Sequence, residues 1–209
     1  WHSRDRAWHA FTAEQYERLR ETALGFSQTF AFQNLVTRIN GRPMVGQLVT
    51  GNYFDVVGVP PAVGRTLGPS DDVAPDNGRV IVLSYETWRG QFAGDSSVLG
   101  RRVLINGVPL TIVGVAAKGF GGLSSCPYQF WTPLTMAGPL SGWTRINTIL
   151  KTSENTHIVG RLAPGVGPEQ VAARMRAWLR VETANRASLE RANDVMMEPR
   201  GTPIPLTPE

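Results

Sequence analysis

Apolar residues recur at spacings of three and four along residues 12–25, which predicts an amphipathic helix there. The stripe consists of Tyr16, Leu19, Ala23 and, just beyond them, Phe26. Thr12 followed by Gln15 forms a capping-box pattern, in which each side chain bonds a backbone N–H that the first turn leaves unpaired. Gly25 is the expected left-handed stop of this helix.

Short runs of β-branched and aromatic residues follow the helix, and such runs predict strands. Two of them, 29–33 and 35–39, lead into Asn40-Gly41, a pair whose residues both tolerate the positive φ of a tight hairpin turn. Residues 43–49 are the expected returning strand. The first β element is therefore predicted to be a hairpin.

The middle of the chain carries the clearest β pattern. The continuous apolar run at 79–83 predicts a strand covered on both faces, and Ser84 is placed to cap a short helix over 85–92. Alternating apolar residues at 102–105 and 109–115 flank a second Asn-Gly pair. This arrangement predicts a second hairpin.

The remaining elements are predicted from turn residues and from one further helical stripe. Gly167 and Pro168 begin a helix that runs to about Ala184, with the apolar face Val171, Met175, Trp178 and Leu179. The other expected elements are an exposed loop at 116–127, a short edge strand at 129–133 that Pro133 ends, a loop at 137–145, a strand at 156–162 and a weak strand at 195–197.

Residues 48–67 (LVTGNYFDVVGVPPAVGRTL) are rich in glycine and could suggest a phosphate-binding loop. The segment has neither a G-x-G-x-x-G pattern nor a lysine, which disfavours that interpretation. We expect Tyr53, Phe54 and Val57 to dock one helical turn into the core, and Gly58 to end that turn. The segment is then a joint between two subdomains.

Composition is typical of a folded globular chain, with 42% hydrophobic and 18% charged residues among 209. The net charge of +4 comes almost entirely from arginine, since Lys118 and Lys151 are the only lysines. The arginines are scattered and form no basic run, so we expect no nucleic-acid partner. No run approaches the ~20 apolar residues of a membrane span. The chain begins at Trp1 without a methionine, so we expect it to be part of a longer protein.

Residues that could carry catalysis or bind a metal are few and form no motif. The three histidines are His2, His9 and His157, and the single cysteine, Cys126, has no histidine near it in sequence. Five of the seven aspartates are scattered over predicted loops, at Asp55, Asp71, Asp72, Asp76 and Asp95. The sequence therefore predicts no catalytic, cofactor-binding or metal-binding residues, and no cofactor.

Two further groups favour structural roles. The acidic stretch at 70–78 lacks the alternating oxygen ligands of a calcium loop, so we expect a solvated turn. The large aromatic residues fall mostly on apolar stripes and are expected in the core, namely Trp88, Phe92, Trp131, Trp143 and Trp178.

Taken together, these elements predict an α+β fold of two parts. Residues 10–49 and 143–198 each combine a helix with β segments and are expected to form a mixed α/β subdomain. Residues 50–142 are mostly hairpins and are expected to form an inserted β-rich subdomain, and the proline-rich stretch 199–209 is an expected linker or tail.

Three blocks of the sequence resemble a known family. They are TGNYFDVVGVPPAVGRTL, then VIVLSYETWRGQFAGDSSVLGRRVLINGVPLTIVGVAAKGFGG, then FWTPL. In this order they closely resemble the MacB-like periplasmic core domain of ABC transporter permeases, over about residues 48–135. The resemblance is greater to the large permease group of unassigned substrate than to the macrolide exporter.

This resemblance implies a porter-like α/β subdomain with an inserted sabre-like β-rich subdomain, held outside the membrane of a bacterium. It implies a cognate ABC ATPase reached through membrane helices of the parent protein, with a second permease copy and a periplasmic adaptor as further candidate partners. We therefore expect a non-catalytic domain that transmits ATP-driven conformational change. The alternative is a free-standing extracytoplasmic module that binds a ligand between subdomains.

Overall fold

The computed structural model describes residues 2–3, 10–22, 24–39, 41–73, 78–124, 126–140, 155–185 and 192–198. The chain divides into two compact units. Unit 1 comprises Trp1–Ala31 and Thr148–Pro199, and unit 2 comprises Phe32–Asn147 with Arg200–Glu209.

The helices and strands alternate irregularly along the chain. In order they are β1 (His2–Ser3), α1 (Ala13–Arg20), β2 (Phe26–Ile39), β3 (Arg42–Val49), α2 (Tyr53–Val57), β4 (Pro61–Gly64), β5 (Val80–Leu83), α3 (Tyr85–Gln91), β6 (Arg102–Ile105), β7 (Val108–Ala116), β8 (Phe130–Pro133), α4 (Ala137–Leu140), β9 (His157–Leu162), α5 (Pro168–Glu182) and β10 (Ala192–Asp194). Short 3₁₀ turns lie at Pro69–Asp72, Ser96–Val98 and Leu134–Met136.

Helix α1 begins with the predicted capping box. The Thr12 backbone N–H donates to Gln15 Oε1 at 2.9 Å, and the Gln15 N–H donates to Thr12 Oγ1 at 3.0 Å. The helix ends at Arg20 rather than near residue 25, because the Thr22 hydroxyl bonds the Leu19 carbonyl and Gly25 already leads into β2. The predicted end of this helix was therefore wrong by about one turn.

Unit 1 has its own hydrophobic core. Buried side chains of α1 and α5 meet there, with partly buried side chains of β9 against them; the buried members are Leu19, Leu24, Val171, Met175, Leu179 and Val195. The predicted strand at 156–162 and the helix from Pro168 are confirmed within one or two residues. The predicted strand at 195–197 was misplaced, since β10 covers 192–194 and Val195 is instead buried in this core.

Strand β2 is one strand of 14 residues where two short runs were predicted. Its first part lies in unit 1, and Phe32 is its first residue in unit 2. The predicted first hairpin is confirmed: β2 and β3 are antiparallel, with Ile39 opposite Arg42 across the turn and Phe32 opposite Val49 at the far end.

Six strands of unit 2 close into a barrel. The order β3-β8-β5-β7-β6-β2 returns to its start because β2 also pairs with β3. The last contact of the circuit is the pair Ile39 and Ile105, which joins β2 to β6. The barrel therefore has a defined interior, which is filled by alternate residues of each strand.

Strand β8 lies inside this circuit and is not the predicted edge strand. It runs parallel to β3 on one side and antiparallel to β5 on the other, and all four of its residues are buried. Successive residues of a strand point to opposite faces, so the side chains of Phe130 and Trp131 pack on opposite faces of the sheet. Gly46 lies opposite Phe130, and a Cβ at Gly46 would overlap the Phe130 ring.

The first unit boundary differs from the predicted division of the chain. The sequence placed 10–49 with 143–198, but residues 32–49 belong to unit 2. The reason is long-range pairing: β3 is bonded along half its length to β8, more than 80 residues later. The segment 48–67 therefore lies wholly inside unit 2 and is not a joint between units. The predicted tail at 199–209 and Trp143 lie outside the described residues.

Candidate functional site

The reactive residues singled out from the sequence are dispersed. His157 is exposed on β9, Cys126 is an exposed free thiol, His2 lies in β1, and His9 lies outside the described residues. Across the described ranges, no three His, Cys, Asp or Glu side chains gather into a group that could hold a metal ion. The polar groups that do come together lie around the segment 48–67.

Helix α2 forms the docked turn that was predicted inside this segment. Gly58 ends it with φ +78°, a left-handed conformation that glycine adopts without a steric penalty. Tyr53 and Phe54 are each 1% exposed. The third buried residue of the helix is Val56, whereas the predicted Val57 is only partly buried.

Two adjacent aspartates hold this segment in place, in a cluster that we name the carboxylate clasp (Gly51, Arg65, Gly68, Asp71, Asp72 and Thr135). Arg65 donates from both terminal nitrogens to the Asp71 carboxylate, at 2.6 and 2.9 Å, and the Gly68 N–H adds a third bond at 2.9 Å. Asp72 accepts from the Gly51 N–H at 3.1 Å and from the Thr135 N–H at 3.0 Å. The clasp thus joins the start of the segment, its end and the chain after β8.

The prediction of a solvated acidic turn is therefore wrong for these two residues. Asp71 is 6% exposed and bonded on both carboxylate oxygens. Burial alone would raise the pKa of Asp71, but the bonds from Arg65 and Gly68 outweigh burial and hold that pKa below its usual value. The buried group is therefore a carboxylate at neutral pH, as a bidentate arginine pair requires.

Four aromatic rings pack beside the clasp on α2, β8 and the loop between β7 and β8. Phe54 meets Tyr53 and Trp131 edge-on, at ring-centroid distances of 5.1 and 5.6 Å, and Phe120 stacks on Trp131 at 5.2 Å. Offset and edge-on pairs at these distances add stability beyond the area that they bury. Burial raises the pKa of Tyr53, so its hydroxyl stays protonated and the cluster carries no charge.

A short polar chain runs along the rim of this aromatic cluster. Trp131 Nε1 donates to Gln47 Oε1 at 3.2 Å, and Gln47 Nε2 donates to Asn34 Oδ1 at 3.4 Å. The Tyr128 hydroxyl donates to the same Asn34 oxygen at 2.9 Å. These bonds satisfy polar atoms that packing would otherwise leave unpaired, and they fix the loop before β8 to the barrel wall.

The burial of this loop was not predicted from the sequence. Residues 116–127 were predicted to be exposed because they are rich in glycine and serine, yet Phe120 is 1% exposed and Gly122 is buried. A lone aromatic residue in a polar stretch was the available signal. The prediction that large aromatics belong to the core is confirmed for Trp131, which is fully buried, and for Trp88, which is 9% exposed.

The clasp and the aromatic cluster are equipped to hold a backbone segment in place. Their hydrogen bonds and ring contacts are all made within unit 2, and the carboxylates are committed to a guanidinium and to backbone N–H groups. These contacts restrain the segment 48–67 against the rest of unit 2. Comparisons with known proteins indicate the kind of protein to which this unit belongs.

The MacB-like periplasmic core domain family matches residues 2–178. The chain belongs to this family. The match extends well beyond the central blocks from which the resemblance was first inferred, and it includes α1, β9 and most of α5. This family is one of transporter permease domains and not an enzyme family.

Curated relatives include the macrolide export ATP-binding/permease protein MacB of Escherichia coli (strain K12) and that of Shigella flexneri. Each is 31% identical over 123 residues, which is 56% of this chain. The matched part spans only 18% of each relative's length. The MacB-like domain described here thus corresponds to one section of a much larger protein.

Solved structures share the fold. The extracellular domain of the noncanonical ABC-type transporter YknZ from Gram-positive bacteria superposes with a TM-score of 0.63 at 18% identity, covering 88% of this chain and 90% of that one. The periplasmic region of MacB from Actinobacillus actinomycetemcomitans gives a TM-score of 0.56 at 17% identity, covering 86% and 76%. These neighbours confirm the α+β fold class.

The MacB-like domain is accordingly an extracytoplasmic part of an ABC-type transporter permease. Among its described helices, none combines the length and the apolar character needed to cross a membrane.

Proposed function

We propose that this domain is a non-catalytic transmission element of its permease. ATP-driven movement of membrane helices in the parent protein would displace the domain as rigid units, and that displacement would act on substrate or on a partner protein outside the membrane. The observation that carries the proposal is membership of the periplasmic core domain family over residues 2–178.

The interior of unit 2 supports this proposal. A transmission element has to resist deformation, and the strands β3-β8-β5-β7-β6-β2 are paired around a circuit that the Ile39–Ile105 pair completes. Side chains fill both faces of β8, and the clasp fastens the segment 48–67 at its two ends. Protein interiors packed in this way transmit strain instead of absorbing it.

The proposed partners follow from the relatives. A protein named an ATP-binding/permease protein contains its own nucleotide-binding part, so we propose a cognate ABC ATPase on the far side of the membrane as the source of movement. A second permease copy and a periplasmic adaptor are further proposed partners.

The experiment measures distances by electron spin resonance in the complete permease, with Cys126 and every other native cysteine of the parent protein replaced by serine so that only engineered thiols carry a label. One label pair lies inside unit 2, at Val36→Cys and Val73→Cys, two residues that are 77% and 72% exposed. A second design uses a single label, at Val181→Cys of unit 1, which is 76% exposed, to measure the distance between two permease copies.

We expect the distance inside unit 2 to stay constant when ATP is added and the distance between copies to change. A nucleotide-dependent change inside the unit would contradict rigid transmission. Constant distances in both designs, in a permease that hydrolyses ATP, would contradict transmission altogether.

A further inference from the structure

The outer surface of the barrel is left uncovered where two hairpins meet. On the β2–β3 hairpin, Val36 pairs directly with Val45, and these side chains are 77% and 38% exposed. On β6, Leu104 is 53% exposed. Exposed branched side chains thus occur on three neighbouring strands: Val36 and Val45 are directly paired, and the antiparallel register through Ile39 and Ile105 places Leu104 beyond Arg38 from them. Exposed apolar residues grouped around an arginine in this way differ from scattered single ones.

Strand register places these residues on one side of the sheet. Ile39 and Ile105 are directly paired and both buried in the barrel. Alternation therefore directs the residues next to them outward, and Arg38 and Leu104 share the outer face. Pro43 and Arg102 are also exposed and outward by the same rule. We call this set, Val36, Arg38, Pro43, Val45, Arg102 and Leu104, the hairpin face.

The electrostatics of the hairpin face are one-sided. Neither residues 32–49 nor residues 101–116 contain an aspartate or glutamate, and the hairpin face itself carries Arg38 and Arg102. Arg42 is paired with the inward-facing Ile39, and the charge of Arg101 interacts with Asp95, so neither of these arginines is counted in the face. The two hairpins come from separate parts of the sequence, so their positive charge is combined only by the fold. A surface of this kind attracts a partner of negative charge.

The same outer face is covered farther along the barrel. Beyond Val45, the loop before β8 packs on the strands and Tyr128 bonds Asn34. The outer face of the β2–β3 hairpin is therefore covered by the loop before β8 at one end and exposed at the other end, where the hairpin face lies. The apolar side chains of the hairpin face are valine, proline and leucine, and its cations are arginines, which recognise carboxylates through two parallel bonds.

We propose that the hairpin face is the docking surface for an extracytoplasmic protein that presents an apolar contact flanked by carboxylates. A lipid surface is the less suitable partner, because membrane-interface surfaces are rich in tryptophan, tyrosine and lysine, and the hairpin face has none of these. The proposal requires the domain to lie outside the membrane but does not depend on transmission of movement.

The test places the photo-crosslinking residue p-benzoylphenylalanine at position 36 or 104 of the full permease, expressed in its own bacterium. Position 181 is the matched control, since Val181 and Val36 are valines of nearly equal exposure, 76% and 77%. Mass spectrometry identifies the residue to which each product is joined.

We expect a discrete protein product from positions 36 and 104 that position 181 does not give, joined to a peptide that contains aspartate or glutamate. The R38Q/R102Q double variant should reduce the yield at least about fivefold, since two ion pairs are lost. Far-UV circular dichroism and thermal melting of that variant serve as the folding control. In the R38E/R102E background, replacing the partner's carboxylates by lysine should restore the product.

Several results would overturn the proposal. They are no product, an equal product from position 181, an adduct with lipid, a product with a second copy of this chain, or a yield that the arginine variants leave unchanged. None of these results bears on the distance measurements that test transmission, so the two proposals can fail separately.

Discussion

Asp71 and Asp72 are neighbours in sequence but fasten different parts of unit 2. Asp71 binds Arg65 and the Gly68 N–H, which closes a local loop, whereas Asp72 reaches Gly51 and Thr135. A buried carboxylate with such partners is costly to remove, because its donors are then left unpaired. Arg65 is half exposed, and solvent screens part of the ion pair.

We predict that Asp71→Asn lowers the free energy of unfolding at neutral pH by about 1–2 kcal/mol. The folded-state pKa of Asp71 lies below its unfolded value of about 3.9. Its contribution is therefore complete above that value and is lost as the pH falls through the folded-state pKa. Urea titrations from neutral pH down to about pH 3, below the unfolded-state value, should show a shallower decline for the variant than for the native chain.

Asp55→Asn is the control, since Asp55 is an exposed aspartate of the same unit. It should change the unfolding free energy by less than about 0.5 kcal/mol. A native-like acid profile for Asp71→Asn would show that the clasp does not contribute to stability as argued.

Alanine substitutions at Gly46 and at Gly90 should have opposite effects on the free energy of unfolding. A Cβ at Gly46 would overlap the ring of Phe130, so Gly46→Ala should destabilise unit 2 by about 1–3 kcal/mol. Gly90 lies in α3 with open space around its Cβ position, so Gly90→Ala should stabilise by about 0.5–1 kcal/mol. Chemical denaturation measures both, and equal effects of one sign would contradict the packing of Phe130.

At the scale of elements, the turn between β6 and β7 is hydrogen-bonded to two other elements of unit 2. Asn106 has φ +48° and Gly107 has φ +83°, as a tight hairpin turn requires. The Asn106 side chain accepts from Thr37 Oγ1 at 2.7 Å and donates to the Leu140 carbonyl at 2.6 Å. One turn residue therefore links this hairpin to β2 and to α4, beside the pair that closes the barrel.

We predict that Asn106→Gly lowers the free energy of unfolding by about 1–3 kcal/mol, because it keeps the turn geometry but loses both side-chain bonds. Asn106→Ala should cost about 1–2 kcal/mol more, since alanine is strained at positive φ. Asn106→Asp keeps the acceptor for Thr37 but places a carboxylate oxygen against the Leu140 carbonyl, so it should be no more stable than the glycine variant. If the glycine variant were as stable as the native chain, only the backbone turn would matter here.

At the scale of the whole molecule, the two units have separate cores. Leu179 is fully buried among the residues of the unit 1 core, and Ile81 is fully buried in a strand of the unit 2 barrel. Regions with separate cores can open separately, and hydrogen exchange detects such openings.

We predict that Leu179→Ala destabilises unit 1 by about 2–5 kcal/mol. Amide exchange should accelerate in α1 and α5 and stay unchanged in β5 and β7. Ile81→Ala is the matched variant and should give the reverse pattern. Equal loss of protection in both units from either variant would mean that the chain opens as one cooperative body.

The sequence by itself determined the features that depend on residues a few positions apart. The capping box of Thr12 and Gln15, both Asn-Gly hairpins and the helix that begins at Pro168 all follow from local hydrogen bonds and fixed backbone angles. The family resemblance also came from the sequence, because ordered blocks of residues carry it, and the match over 2–178 confirms it.

The tertiary structure alone decided the features that depend on residues far apart. Strand β8 lies between β3 and β5, and Phe120 is buried although the loop that contains it is polar. The backbone of Thr135 bonds Asp72, which is 63 positions earlier in the sequence. The tertiary structure also gathered two acid-free hairpins into one exposed face. A periodic pattern shows which side of a strand is apolar, but not which strand lies beside it, because that choice is made by the combined packing of the whole barrel.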